Sequence, residues 1–116
     1  MSDNHNHTFA ITVAHNAPQR EAAATVARCA KGVGLPGWTA VHGFGASERW
    51  ESDVEPNVTV TVTAPVAYVA PFIRKLLEAF AQESAYVVEH TPAGAFLYGG
   101  QTRAYLVPLD GEPTDL

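Results

Sequence analysis

Residues 56–65 read PNVTVTVTAP, a run in which valine and threonine alternate three times between two prolines. Successive side chains of a β-strand point to opposite faces of a sheet. The run therefore predicts a strand with its valines on one face and its threonines, Thr59, Thr61 and Thr63, on the other. Because burying the valines is favourable, we expect one face of the sheet to pack on helices and the other to remain open and mildly polar.

The segment before this strand predicts a strand, a helix and a second strand. Residues 7–14, HTFAITVA, alternate in the manner of a half-buried strand. Asn16 is a suitable N-cap and Gly32 a suitable helix end, so we expect a helix over residues 17–31. A second strand is expected over residues 38–50, bent where two glycines flank a phenylalanine.

The segment after the quoted strand predicts a helix, a strand and a final hairpin. Apolar residues recur at three- and four-residue spacing within residues 64–84, which indicates an amphipathic helix. We expect its regular part to begin near Pro71, because proline lacks the amide hydrogen that a helix interior requires. Residues 85–90, AYVVEH, predict a strand, and AFLYGG with TRAYLVPL indicates a hairpin around Gly99-Gly100.

The order of these elements predicts the fold class. A β-α-β-β-α-β order is typical of the α+β, ferredoxin-like split βαβ domain, with two helices on one face of the sheet. The final hairpin adds a C-terminal strand or hairpin to that pattern. We expect a single domain over residues 8–109, between flexible tails at residues 1–7 and 110–116.

Composition excludes several classes of function. The formal net charge of −5 opposes binding to a phosphate backbone, so nucleic acid is not expected as a partner. No apolar window approaches the roughly 20 residues that span a bilayer, and no basic and apolar leader opens the chain, so no membrane partner is expected. The single cysteine, Cys29, agrees with a reducing compartment, and a cytoplasmic location is expected. The Ala, Val, Thr and Pro bias is typical of actinobacteria and their phages.

The threonine side of the predicted sheet suggests self-association. Thr12 of the first strand joins Thr59, Thr61 and Thr63 in a surface that is less charged than a solvent-facing sheet usually is. Such a face either meets water or packs against a second copy. We expect Thr12 and the three threonines to form an interface in a dimer or trimer. RNA-binding domains of this topology need aromatic side chains on the open face of the sheet to stack on bases, and this sequence has threonines at those positions.

Two stretches carry a resemblance to known proteins. The strings GWTAVHGFGASERWES and QESAYVVEHTPAGAFLY, with the valine-rich strand and helix between them, resemble an uncharacterised family of small bacterial α+β domains over about residues 37–98. The order of elements and the long hairpin between the second and third strands are similar to the trimeric CutA and PII proteins. These resemblances imply an oligomeric α+β domain. No binding residue of those proteins is carried over to this sequence.

Several titratable residues fall on or beside predicted strands. His42, Glu48 and His90 are candidate acid–base residues, since a histidine and a carboxylate within hydrogen-bond reach can exchange protons; Glu89 and Arg49 lie beside them in sequence. The alternative is that they are ordinary surface or interface residues. No metal set and no cofactor motif is recognised, so neither a metal nor a cofactor is expected.

The glycine-containing segment offers candidate ligand contacts. Gly43 and Gly45 present successive backbone amides that could cradle an anion, with Arg49 and Trp50 close behind in sequence. The alternative is a β-bulge, because the segment lacks the lysine and the helix start of a phosphate loop.

Two functional hypotheses follow. The first is a homo-oligomeric binding or regulatory module, phage-encoded, that acts on a host protein or a small ligand. The second is a small enzyme of the dimeric α+β-barrel type, in which His42 or His90 serves as acid or base. The absence of a recognised catalytic motif favours the first hypothesis over the second, so an enzyme is not the leading expectation.

Overall fold

A computed structural model of the protein describes residues 6–46, 54–91 and 101–116. Its elements are β1 (His7–Ala14), α1 (Gln19–Val33), β2 (Thr39–Gly45), β3 (Glu55–Ala64), α2 (Val66–Ala79), β4 (Ser84–Thr91), β5 (Gln101–Pro108) and β6 (Thr114–Asp115). None of the helices in the described ranges is long and apolar enough to cross a membrane.

The strands form one antiparallel sheet in the order β2-β3-β1-β4-β5-β6. The first four strands have the connectivity of the split βαβ domain, so the predicted α+β fold with an additional C-terminal strand is confirmed. The additional strand is β5, which pairs with β4. The predicted first half of the final hairpin, residues 95–98, lies outside the described residues.

The valine face of β3 forms the core together with the helices. Val58, Val60 and Val62 are buried, and the buried residues of both helices belong to the same cluster. In α2 the predicted apolar stripe is confirmed; its buried members are Val69, Phe72, Ile73, Leu76 and Leu77. Both helices therefore cover one face of the sheet, and no helix of the described residues lies over the opposite face.

The helix ends differ from the predicted ones. Helix α1 begins at Gln19, so the N-cap position is occupied by Pro18, which has no side-chain acceptor, and not by Asn16. The Ala17 amide just before it donates to Nδ1 of His15 (3.1 Å). The helix ends at Gly34, whose φ of 75° is the left-handed conformation that glycine tolerates. Helix α2 begins at Val66 and includes Pro71, so the predicted start near Pro71 is wrong.

Both predicted tails contribute to the sheet. β1 begins at His7, which is buried, and the short strand β6 pairs Thr114 with Leu106 of β5. The physical reason is hydrogen bonding: His7 is bonded to Glu89 of β4, and Asp115 of β6 accepts from Arg103 of β5. The ordered sheet therefore extends beyond residues 8–109 at both ends.

Candidate binding site on the open face of the sheet

The open side of the sheet is one continuous surface, which we name the threonine face. Strand registers and side-chain alternation place it across five strands. It comprises Thr8, Ala10, Thr12, Thr39, Val41, Gly43, Gly45, Glu55, Asn57, Thr59, Thr61, Thr63, Tyr86, Val88, His90, Thr102, Ala104 and Leu106.

The threonine face is nearly free of charge. Four of the threonine hydroxyls form pairs, Thr12 with Thr59 at 2.8 Å and Thr8 with Thr63 at 3.0 Å. Three apolar or aromatic side chains are exposed on the same surface: Val41, Tyr86 and Leu106. Its residues, all within the described ranges, include no Lys, Arg or Asp. A surface of this kind loses little hydration free energy when it is covered.

A hollow of about 230 Å³ lies at the end of this face near the β2–β3 hairpin. Paired positions of neighbouring strands build it: Gly45 opposes Glu55, and Tyr86 opposes Leu106. Its lining residues are Thr12, Ala14, Gly45, Ala46, Glu55, Asn57, Gln82, Ser84, Tyr86 and Leu106. The strand periodicity of β3 places Glu55 and Asn57 side by side on this face.

Two glycines of β2 fix the Asn57 carboxamide in the hollow. A Cβ atom at Gly45 would lie 2.8 Å from Nδ2 of Asn57, and one at Gly43 would lie 3.4 Å from Oδ1. The first distance is shorter than real Cβ contacts allow, so the amide rests across β2 only because Gly45 has no side chain. The predicted ligand candidates Gly43 and Gly45 thus flank the hollow, Gly45 as part of its lining.

The hollow has the electrostatics of a site for a polar or cationic ligand. Glu55 supplies a carboxylate, Asn57 and Gln82 supply carboxamides, and Tyr86 supplies a half-exposed aromatic ring. Among the described residues that line it, no Lys, Arg or His occurs. A carboxylate with no neighbouring cation attracts positive charge and repels anions.

The two candidate histidines lie on opposite faces of the sheet. His42 opposes Val58 on the helix side, because its neighbours Val41 and Gly43 occupy the threonine face. His90 is exposed on the threonine face, and its Nδ1 is hydrogen-bonded to the Thr102 hydroxyl (2.9 Å). It lies four residues from Tyr86 along β4, a distance of about 13 Å. Neither lines the hollow. Glu48, Arg49 and Trp50 lie outside the described residues.

His42 instead forms a pair with His15 behind the hollow. The two rings are 6.4 Å apart and perpendicular, and His15 also stacks on Phe80. Nε2 of His15 and Nδ1 of His42 have no hydrogen-bond partner among the described residues. Burial, and then the proximity of His42, lowers the pKa of His15. Because Nδ1 of His15 accepts the Ala17 amide, its Nε2 carries the proton in the neutral ring, which does not suit a metal ligand at that atom.

A buried network on the helix side contains a second carboxylate. Glu89 accepts hydrogen bonds from His7 Nδ1 (2.6 Å) and from the Tyr105 hydroxyl (2.7 Å). Burial, and then the bond to Glu89, raises the pKa of Tyr105, which stays a donor. Both carboxylate oxygens have partners, so this network fastens β1, β4 and β5 together and leaves no oxygen of Glu89 unpaired.

Sequence reasoning named Glu89 but missed its partners and the hollow. Glu89 follows Ala85 and Val87 at inward positions of β4, and an inward carboxylate signals a buried partner. Glu55 and Asn57 precede the valine–threonine run at alternate positions in step with its threonines. This alternation could have placed both side chains on the threonine face from the sequence alone. Tyr86, Gln82 and Leu106 join them only through the strand order, which no local pattern encodes.

Comparisons with known proteins identify related folds. No protein-family model matches the chain, and no curated protein matches it. Two solved structures of a phage SAM lyase match it over 93% of this chain and 93% of theirs, at 18% sequence identity. The apo structure gives a TM-score of 0.63, and the complex with S-methyl-5'-thioadenosine gives 0.56. The chain shares the fold of that lyase. The likeness supports a small α+β domain; it does not extend to CutA or PII membership.

Proposed function

We propose that this protein is a homo-oligomeric, phage-encoded module that binds an adenosine sulfonium such as S-adenosylmethionine in the hollow of the threonine face. The observation that carries the proposal is the lining of the hollow, a carboxylate with carboxamides and hydroxyls and, in the described part of the chain, no cation. The fold shared with a phage SAM lyase supports the ligand class and the origin.

Glu55 supplies the charge that recognises the sulfonium. Two unit charges about 4 Å apart near a protein surface attract by about 4 kcal/mol before desolvation is subtracted. A thioether such as S-methyl-5'-thioadenosine is neutral and gains none of this attraction. The site is therefore expected to hold the sulfonium more tightly than the thioether.

The remaining groups suit the adenosine part of the ligand. The exposed ring of Tyr86 is a platform for an adenine, and base–aromatic stacking contributes about 1–3 kcal/mol. The carboxamides of Asn57 and Gln82 offer a donor and an acceptor each for the base edge or the ribose hydroxyls. Gly45 keeps the Asn57 amide in place for that contact.

A second copy of the chain completes the site in this proposal. The hollow of about 230 Å³ is smaller than the roughly 300–1,000 Å³ of typical small-molecule pockets, and it opens onto the threonine face, where Glu55 is the one carboxylate of the described residues. Packing another copy over Thr12, Thr59, Thr61 and Thr63 would give the hollow a second wall. The hydroxyl pairs and exposed apolar side chains of this face support such an assembly.

If the protein is an enzyme, the reaction that this site suits is cleavage of the bound sulfonium. When the carbon–sulfur bond of the amino-acid chain breaks, both bond electrons stay on sulfur and the thioether leaves uncharged. As that bond breaks, an oxygen of the ligand's own carboxylate attacks the carbon that loses sulfur and forms the carbon–oxygen bond of a lactone, so the step consumes no water and transfers no proton. A neutral leaving group needs no general acid, which agrees with a hollow that neither His42 nor His90 lines.

Calorimetric titration with S-adenosylmethionine and with S-methyl-5'-thioadenosine tests the proposal, together with chromatographic detection of thioether release. We expect Glu55→Gln to weaken S-adenosylmethionine binding at least tenfold, about 1.4 kcal/mol, and to change thioether binding less than threefold. Tyr86→Ala should weaken both ligands.

The matched control is Glu78→Gln, which removes a carboxylate from the exposed surface of α2 and should leave both affinities unchanged. Binding without thioether release would assign the protein to the binding-module hypothesis rather than the enzyme hypothesis. Absence of binding to either ligand by the wild-type protein would contradict the proposed function.

A further inference from the structure

The sheet has more strands than its two helices can cover. Helix α2 contacts β1 and β4, whereas β5 lies beyond them at the side of the sheet. Two helix-side residues of β5, Tyr105 and Val107, therefore have α2 on one side and no helix of the described residues on the other. A groove of about 380 Å³ remains between α2 and β5. It lies on the opposite face of the sheet from the hollow.

The groove is apolar on its floor and walls. Phe9, Val69 and Ile73 are buried beneath it, and Val107 with Pro108 and Pro113 bounds the β5 side. Its volume falls within the range of small-molecule sites, and such sites are mostly apolar with a few placed polar groups. An apolar body of modest size would bury its surface here.

Among the described residues that line the groove, one carries a positive charge. Arg74 of α2 is exposed, lines the groove, and makes no ion pair among the described residues. The Tyr105 hydroxyl, the other polar side-chain group of the lining, already donates to Glu89. Asp110 and Glu112 flank the lining residue Gly111 in sequence without lining the groove themselves. Arg103 lies 4.8 Å from the centre of the Tyr105 ring, but it is paired with Asp115 and does not line the groove. Arg74 is therefore the unpaired cation of the described lining, and it can select the charge of a ligand.

We propose that this groove binds an amphiphilic monocarboxylate, with the apolar chain on the floor and the carboxylate against the Arg74 guanidinium. A guanidinium fork matches a carboxylate in shape and charge, and the described residues that line the groove include no carboxylate to oppose it. The site is separate from the hollow, so its occupation does not depend on the function proposed above.

Titration calorimetry with decanoate, decanol and decylamine tests this assignment. We expect saturable decanoate binding that Arg74→Gln weakens about tenfold, while decanol binding changes less than twofold. The matched control is Lys75→Gln, the next residue of α2, which does not line the groove and should change decanoate binding less than twofold. Glu55→Gln should likewise have no effect.

Ala70→Phe provides a second readout, because its ring would fill the groove from an exposed position of α2 while circular dichroism verifies folding. Loss of decanoate binding in this folded variant would support the site. Decylamine binding as tight as decanoate binding, equal losses in Arg74→Gln and Lys75→Gln, or no saturable decanoate binding would each overturn the proposal.

Discussion

His15 illustrates how one buried side chain couples stability to pH. Its ring packs between Phe80 and His42, and its backbone amide donates to Pro56, between the hollow residues Glu55 and Asn57. In the folded protein burial lowers its pKa, whereas in the unfolded chain it titrates near 6.5. The unfolded state therefore binds more protons below that pH.

The stability contributed by neutral His15 should be present above pH 6.5 and lost as the pH falls toward its folded pKa. We expect the free energy of unfolding to drop by up to about 1.4 kcal/mol per pH unit within this window. Urea titrations between pH 7.5 and 5 measure the slope.

His15→Gln keeps an acceptor for the Ala17 amide and removes the titration, so its slope should be flatter. His90→Gln, which removes an exposed histidine, should retain the wild-type slope. Parallel slopes in all three proteins would refute the role of His15.

Glu89 shows which residue-scale features the sequence reveals. Its inward position in an alternating strand marks it as buried, and a buried carboxylate requires donors. The identity of those donors is a tertiary fact. His7 lies 82 positions away in the chain and Tyr105 lies 16 away, and only the pairing of β1 and β5 with β4 brings them to the carboxylate.

At the scale of the element, the end of α1 depends on a single backbone conformation. Gly34 adopts a φ of 75°, and its amide with that of Leu35 satisfies the carbonyls of Lys31 and Ala30. A residue with a Cβ atom is strained there by about 1–2 kcal/mol.

We expect Gly34→Ala to lower the free energy of unfolding by about 1 kcal/mol, measured by urea denaturation. No neighbouring atom lies within 4 Å of the added Cβ, so the loss would come from the backbone alone. Gly37→Ala is the matched control, with open space and no positive φ, and should be close to neutral. Equal effects of the two substitutions would argue against this account.

The helices were predictable as elements but not in their limits. The apolar stripe of α2 specified its buried face, and the structure confirms it. The prediction that α2 starts near Pro71 was wrong, because tertiary packing of the apolar stripe outweighs the one backbone hydrogen bond that proline cannot make. The predicted end of α1 was at Gly32, whereas the structure has Gly34 as the C-cap. Either glycine can end a helix, and the local sequence does not choose between them.

At the scale of the whole molecule, the threonine face is the surface offered to a second copy. Thr61 and Thr63 of β3 are exposed on this face, and no charged side chain of the described residues lies beside them in the paired strands. A charge introduced there would be buried without a partner in an assembly of copies.

Light scattering should report an oligomer for the wild-type protein and a monomer for Thr61→Lys at micromolar concentration. Ala27→Lys places the same charge on the exposed side of α1 and should leave the mass unchanged. A monomeric wild-type protein would contradict self-association, and so would an oligomer that Thr61→Lys leaves intact.

The sequence by itself determined the fold class and which face of each strand is buried, because alternation and helical spacing are local patterns that burial of apolar area enforces. Strand order decided the rest. Pairing β1 between β3 and β4, and β5 beside β4, gathered Glu55, Asn57 and Tyr86 into one hollow and separated His42 from His90. Such contacts join residues far apart in the chain, and their free energy appears only once the sheet has formed.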